Sequence, residues 1–441
     1  MKIKFAILSI ALFSIRICQA QQDTLKVITY NVLGYGNSCQ GANDKMHAYL
    51  KTIVTYEKPD LIGLVKMQIQ NQFADSVLAL AMNAAYPGEY NYCAYTNLSN
   101  SSDMDLLLYN QNKLGFVSTT ILTTIQEDFD LFKLYYKDPF LSTMHDTTFL
   151  YMVLCHTLSG NTSNQRDQQD SAAEKALASI FYHLPNLIYM GDFNTRSSGE
   201  AGYHFLTNNP DTNFTLSDPP FSPDSILKAP IDWSNTPTLT AAELTTTTRA
   251  SATVPNSCGT GGGGKDWYDH ILLSSWITGN TDYMKYVNGS YRTIGNDGKR
   301  VGVSINDSSG VKNTSVPPSE LNALYQFSDK YPVMVKLAVT YDSNGISPVN
   351  PVNTVVDVNS VQEYAKTNNP VHNTITLFTS SNFNGRKVSL ALYDVCGRLL
   401  LNDESVITGS TINKTISFIP GLYLLHIQIG SYIVTQKIIV Q

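Results

Sequence analysis

The chain has 441 residues, 43% of them apolar and only 15% charged, with a formal net charge of −6. That length exceeds one ordinary domain and can bury a large core. No overall positive field exists to gather nucleic acid, which argues against a non-specific nuclease while leaving room for a local basic groove.

Residues 1–20 read as an export signal: Lys2 and Lys4 precede the apolar run Phe5 to Ile15, and small Ala20 closes it. Arg16 interrupts any membrane span, and no later run reaches about 18 unbroken apolar residues, so no transmembrane segment is expected. Cys18 leaves with the signal, so Cys39, Cys93, Cys155, Cys258 and Cys396 remain. At most two bridges can form, and Cys39 and Cys258, both in Asn-Ser-Cys loops, could pair in an oxidising compartment. Cys155 lies inside an apolar run and reads as a small core residue. No C-x-x-C or His/Cys cluster supports zinc.

From Leu25 to about Tyr341, short apolar runs alternate with helical and loop stretches. Leu25–Tyr30 predicts a strand, and Asn31 follows it; Leu61–Leu64 predicts a second, ending near Val65 and Lys66. Leu106–Tyr109 and Tyr151–Leu154 follow, the latter leading to His156, with Arg166 and Gln169 downstream. The spacing over 168–183 predicts a helix with Ala172, Ala176, Ile180 and Phe181 inward. Asn186–Met190 predicts a buried strand closed by Gly191-Asp192-Phe193-Asn194. Because alternate residues of a strand share a side, Asp192 and Asn194 point together and Phe193 away. Residues 207–265, rich in Thr, Pro, Asn and Gly, read as a long surface loop. Asp269 and Asp329 each stand just before an apolar run, placing both acids at a sheet edge facing a cleft. The mix of elements predicts two packed sheets with outer helices. A linker is expected over 342–368. From Asn369 the pattern is all strand, seven in about 70 residues, which predicts a small β-sandwich. There is no internal repeat.

The chemistry at strand ends is consistent. A carboxylate at 192 can orient water or hold a cation, an amide at 194 can stabilise a transition state, and a histidine at 156 can donate to a phosphate oxygen. In this order, the segments around Asn31, Lys66, His156, Asp192/Asn194, Asp269 and Asp329 resemble the endonuclease/exonuclease/phosphatase superfamily, deoxyribonuclease-I-like, over residues 25–341. The resemblance implies a four-layered α/β sandwich and Mg²⁺-dependent hydrolysis of phosphoesters. It implies that Asn31 supports the metal site, His156 binds phosphate, Asp192 orients the attacking water and Asn194 contacts the phosphate. It makes Asp269 the acid of the penultimate strand, and Asp329 an acid that contacts a metal or holds a catalytic histidine.

Two positions depart from that pattern. Lys66 stands where the family has its main metal-ligand Glu, and Lys330 where it has His. An ammonium has no lone pair for Mg²⁺, and at its usual pKa of about 10.4 it does not replace an imidazole poised near neutrality. The departures point to a phosphate-binding pseudoenzyme, with Lys66 standing in for the metal beside Asp192 or Asp329. The alternative is an active Mg²⁺-dependent phosphodiesterase or phosphatase. Either way the ligand would carry phosphate: nucleic acid, nucleotide or phospholipid headgroup, chosen by loops such as 207–265 and 278–326.

The tail resembles the type A C-terminal sorting domain of the type IX secretion system of Bacteroidetes. The residues that carry this are Asn369-Pro370-Val371, Tyr393 to Arg398, Pro420-Gly421-Leu422-Tyr423 and the terminal Lys437 to Gln441. It implies passage through the periplasm of a Gram-negative cell, with that machinery as partner, to the surface or medium.

Overall fold

The computed structural model describes residues 21–139, 147–221, 231–341, 365–379, 383, 385–394, 398–429 and 432–441. The expected export signal with Cys18, most of the expected linker, and Cys396 lie outside them. The chain divides into two compact units, Met1–Val349 and Asn350–Gln441.

The strands of the first unit are β1 (Gln21–Tyr35), β2 (Leu61–Gln68), β3 (Tyr90–Tyr92), β4 (Asp103–Asn110), β5 (Leu114–Thr123), β6 (Phe129–Tyr136), β7 (Phe149–His156), β8 (Leu187–Asp192), β9 (Leu216–Ser217), β10 (Asp269–Ser274), β11 (Met284–Tyr286), β12 (Arg292–Thr293) and β13 (Val333–Tyr341). One sheet runs β11-β13-β1-β2-β4-β3, with β12 also on β13; the other runs β5-β6-β7-β8-β10-β9. Within each sheet one central pair is parallel, β1 with β2 and β7 with β8. These strands are apolar on both faces because both faces are covered.

Side-chain alternation sorts each strand between two cores. Leu25 and Val27 of β1, and Leu61 and Val65 of β2, enter an inter-sheet core with Met152, Leu154, Ile188, Met190 and Ile271 of the other sheet. Ile28 and Tyr30, and Ile62 and Leu64, face the opposite way, against Leu50 and Val54 of helix Asp44–Glu57 and Leu324 and Phe327 of helix Pro318–Phe327. On the far side of the second sheet, Val153, Tyr189 and Leu272 pack on Ala173 and Leu177 of helix Ser163–Ile180 and on Tyr203 and Leu206 of helix Ala201–Thr207. The result is helix, sheet, sheet, helix: the expected four-layered α/β sandwich. Gly63 allows the two sheets to meet closely, since a Cβ there would lie 2.5 Å from Leu154.

The structure differs from the sequence reading in three places. The long helix begins at Ser163 rather than 168, and its inward face carries Arg166, Gln169, Asp170 and Glu174 beside Ala173 and Leu177. Apolar spacing cannot register a face that is half polar. Within the expected surface loop 207–265, Thr245 to Arg249 is buried; hydroxyls and backbone there satisfy neighbouring strand ends, so a polar run is tolerated inside. Ala365–Thr367, at the end of the expected linker, already forms a strand. Cys39 and Cys258 are joined by a disulfide, and Cys93 and Cys155 are free and buried. Among the described residues, no helix is long and apolar enough to cross a membrane.

In the second unit, β14 (Ala365–Thr367), β15 (Thr374–Thr379), β16 (Lys387–Asp394), β17 (Leu399–Val406), β18 (Thr411–Thr415), β19 (Gly421–Ile429) and β20 (Tyr432–Val440) form sheets β14-β15-β18 and β17-β16-β19-β20. Ile375 and Leu377 of the first meet Leu390, Leu392, Leu425 and Ile427 of the second in one core, a β-sandwich.

Candidate functional site

The two parallel pairs bring the C-terminal ends of β1, β2, β7 and β8 to one edge of the sandwich, and the antiparallel neighbours β4, β10 and β13 begin there. Each expected residue therefore lands at that edge. His156 and Asp192 are register partners across β7 and β8, and Asp192 and Asp269 across β8 and β10. Gly191 permits this packing: at φ 151° it lies where an added Cβ would be 1.9 Å from the Cys155 carbonyl oxygen.

Asp192 is the hub. Its Oδ2 accepts from Asn31 Nδ2 at 2.8 Å and stands 3.2 Å from Lys330 Nζ, while Oδ1 accepts from the Asn194 backbone N–H at 2.9 Å. Burial alone would raise this carboxyl, but the Lys330 ammonium, His156 and the two donors hold it down at about 2. The same pairing acts on Lys330: burial disfavours its charge, yet Asp192, Asp269 and Asp329 together raise it above the usual lysine value. The ammonium also sits 4.9 Å above the Tyr268 ring. Asp269 goes the other way. Fully buried and next to the Asp192 charge, it is pushed well above the usual carboxylate range.

The cation beside Asp192 is thus Lys330, not Lys66. Lys66 occupies a bulge where β2 slips its register against both β1 and β4, with φ 59°. Its backbone N–H donates to Asp105 Oδ1 at 3.3 Å, and its half-buried ammonium has no carboxylate within 4.0 Å among the described residues. Asn194, also at positive φ (47°), turns its amide to donate to the Thr157 carbonyl at 2.8 Å. Asp329 has one oxygen engaged elsewhere, its Oδ2 accepting from the Thr260 N–H and hydroxyl at 2.8 and 3.1 Å, while its Oδ1 is buried with no hydrogen-bond partner among the described residues. Arg166 lies apart from these, paired with Glu200 at 2.7 Å.

His156 has a partner that the sequence reading missed. Its Nδ1 lies 3.1 and 3.2 Å from the two oxygens of Glu127, in the turn between β5 and β6. Burial would lower the imidazole, but the charge and hydrogen bond of Glu127 together with the Asp192 charge raise it. Asp103 and Asp105 join the same edge. Their Asp-Met-Asp spacing before the apolar run Leu106–Tyr109 is the pattern that singles out Asp269 and Asp329; nothing local marks Glu127.

Mg²⁺ asks for oxygen donors at about 2.0–2.1 Å in a near-octahedral set. Around Asp192 both oxygens are engaged, Asn31 Oδ1 accepts from the Leu33 N–H at 2.9 Å, and Lys66 and Lys330 offer no lone pair. Of Asn31, Lys66, Asp192 and Asp329, only Asp329 Oδ1 is an unengaged buried oxygen, so the four do not supply the oxygen set that ion asks for.

Residues 369–441 match the secretion system C-terminal sorting domain family. No curated protein matches the chain. Among solved structures, the chain is similar to D. rerio TDP2 complexed with a single-strand DNA product (15% identity, 71% of this chain and 98% of that one, TM-score 0.44). It is similar to an endonuclease/exonuclease/phosphatase family protein of Bacteroides thetaiotaomicron (14%, 73% and 97%, 0.43). A mannosyl-6-phosphatase of the same organism is also similar (15%, 71% and 99%, 0.42). The strand order and the apolar cores establish the four layers independently of these likenesses.

Proposed function

We propose that the protein is exported and carries a cleft that binds a phosphate group without hydrolysing its ester. The observation that supports this most is the ion pair of Lys330 with Asp192, 3.2 Å apart with side chains only 10% and 1% exposed. The carboxylate best placed to orient water is committed to an internal ammonium. Using it as a base or metal ligand would leave a buried charge unpaired, at a cost of about 3–5 kcal/mol. Lys66, half-buried and without a carboxylate within 4.0 Å among the described residues, supplies a cationic donor at the same edge and His156 an imidazole N–H, a set suited to a tetrahedral oxyanion. The ligand class is a phosphate monoester or diester: a nucleotide, a nucleic-acid end or a phospholipid headgroup. The sorting-domain match, with the expected signal at 1–20, supports passage through the periplasm and type IX export to the surface.

Titration calorimetry with inorganic phosphate, beside hydrolysis of bis(p-nitrophenyl) phosphate in Mg²⁺ and Mn²⁺, tests the cleft. The wild type should bind phosphate and turn over no diester, and Lys66→Ala should weaken binding about tenfold, about 1.4 kcal/mol. Robust Mg²⁺-dependent turnover abolished by Asp192→Ala would overturn this reading.

A further inference from the structure

A second group of ligands stands at the same edge, on the side away from Asp269. Asp103 opens β4, Glu127 lies in the β5–β6 turn and His156 closes β7. One ligand atom from each falls within 4.8 Å of the others. The His156 Nδ1 to Glu127 Oε1 distance, 3.1 Å, falls within the roughly 3.0–3.4 Å that separates neighbouring ligands about 2.1 Å from one ion in octahedral or tetrahedral geometry.

Two features separate this from an ordinary ion pair. The Asp103 carboxylate accepts no hydrogen bond among the described residues. Asp105, two residues along the same strand and so on the same side, is 6% exposed, and its Oδ2 is buried with no partner. Glu127 and His156 are the charged groups that act most strongly on it. Three carboxyl groups therefore share one imidazole and the Lys66 ammonium, which forms no ion pair with them within 4.0 Å among the described residues but whose charge acts on Asp103. An unpaired buried oxygen beside concentrated negative charge is costly unless a cation meets it.

We propose that Asp103, Glu127 and His156, with Asp105 behind them, form a divalent metal site distinct from Asp192. Two or three carboxylate oxygens and one imidazole nitrogen suit Zn²⁺ or Mn²⁺ better than Mg²⁺, which prefers oxygen alone. Asp103 and Glu127 are partly exposed and give the ion a path in from solvent. The three ligands sit on two strand ends and one tight turn, so their positions are set by the sheets. The site stands whether or not the cleft binds phosphate.

The test uses untagged full-length protein, stripped with chelator and dialysed against Zn²⁺ or Mn²⁺. One equivalent should bind, and Asp103→Ala and Glu127→Ala should each weaken affinity at least about tenfold. X-ray absorption of the zinc-loaded wild type needs no variant: a shell of nitrogen and oxygen with one imidazole is expected. No bound equivalent, a shell without imidazole, or affinity that falls with Asp192→Asn and not with Asp103→Ala would each overturn the proposal.

Discussion

The two lysines at this edge show how differently one kind of residue can be used. Lys330, just ahead of β13, is enclosed by Asp192, Asp269 and the Tyr268 ring, and its charge is part of the packing. Lys66, on the β2 bulge, is half-buried and has no carboxylate within 4.0 Å among the described residues, its charge acting on Asp103 from farther off. The first cation is enclosed by its partners, whereas the second forms no ion pair within 4.0 Å among the described residues. Charge at a site is therefore informative only together with the partner that holds it.

Removing the enclosed cation should have the largest effect. Lys330→Met leaves Asp192 buried and unpaired, and urea denaturation should show a loss of about 3–5 kcal/mol. Adding Asp192→Asn should recover much of it; equal losses in the single and double variants would mean that the pair is not what stabilises this edge.

The same comparison has a pH signature. Asp192 is held at about 2 in the folded protein, against about 3.9 for a free aspartate. A depressed carboxylate contributes stability that is present above about pH 4 and lost as pH falls toward 2, on the order of 2–3 kcal/mol. Stability measured between pH 5 and 2 should lose that part of its slope in Asp192→Asn. A slope unchanged by the substitution would place the acid sensitivity elsewhere.

The smallest expected effect on the fold is at the free cation. Lys66 has left-handed backbone at φ 59°, where glycine is at ease. Lys66→Gly should change stability by no more than about 1 kcal/mol, while weakening phosphate binding as Lys66→Ala does. A large destabilisation would make Lys66 a second structural cation and dissolve the contrast.

Much of the molecule was legible in the sequence because doubly covered strands announce themselves as unbroken apolar runs, and strand ends locate Asn31, His156, Asp192 and Asp269. The pairing of Cys39 with Cys258 was legible as a possibility from loop composition. What escaped depends on side chains meeting across the fold. That Lys330 and not Lys66 reaches Asp192 is decided by which way a strand's entry faces and by a bulge, and neither leaves a local trace. The polar inward face of helix Ser163–Ile180 and the buried run Thr245 to Arg249 escaped for a related reason. Their burial is sustained by hydrogen bonds to distant backbone, such as Thr248 Oγ1 donating to the Ser328 carbonyl at 2.7 Å.

The Cys39–Cys258 bridge spans 219 residues of sequence, and closing a loop of that length removes about 5 kcal/mol of unfolded-chain entropy at room temperature by the chain-entropy estimate. Thr260, which holds Asp329, lies two residues beyond the bridge. Maturation of this domain is thus gated by redox environment: in a reducing cytosol the thiols stay open and the domain forgoes that margin. Where an oxidant closes the bridge, the loop carrying Thr260 is fastened and that margin is gained.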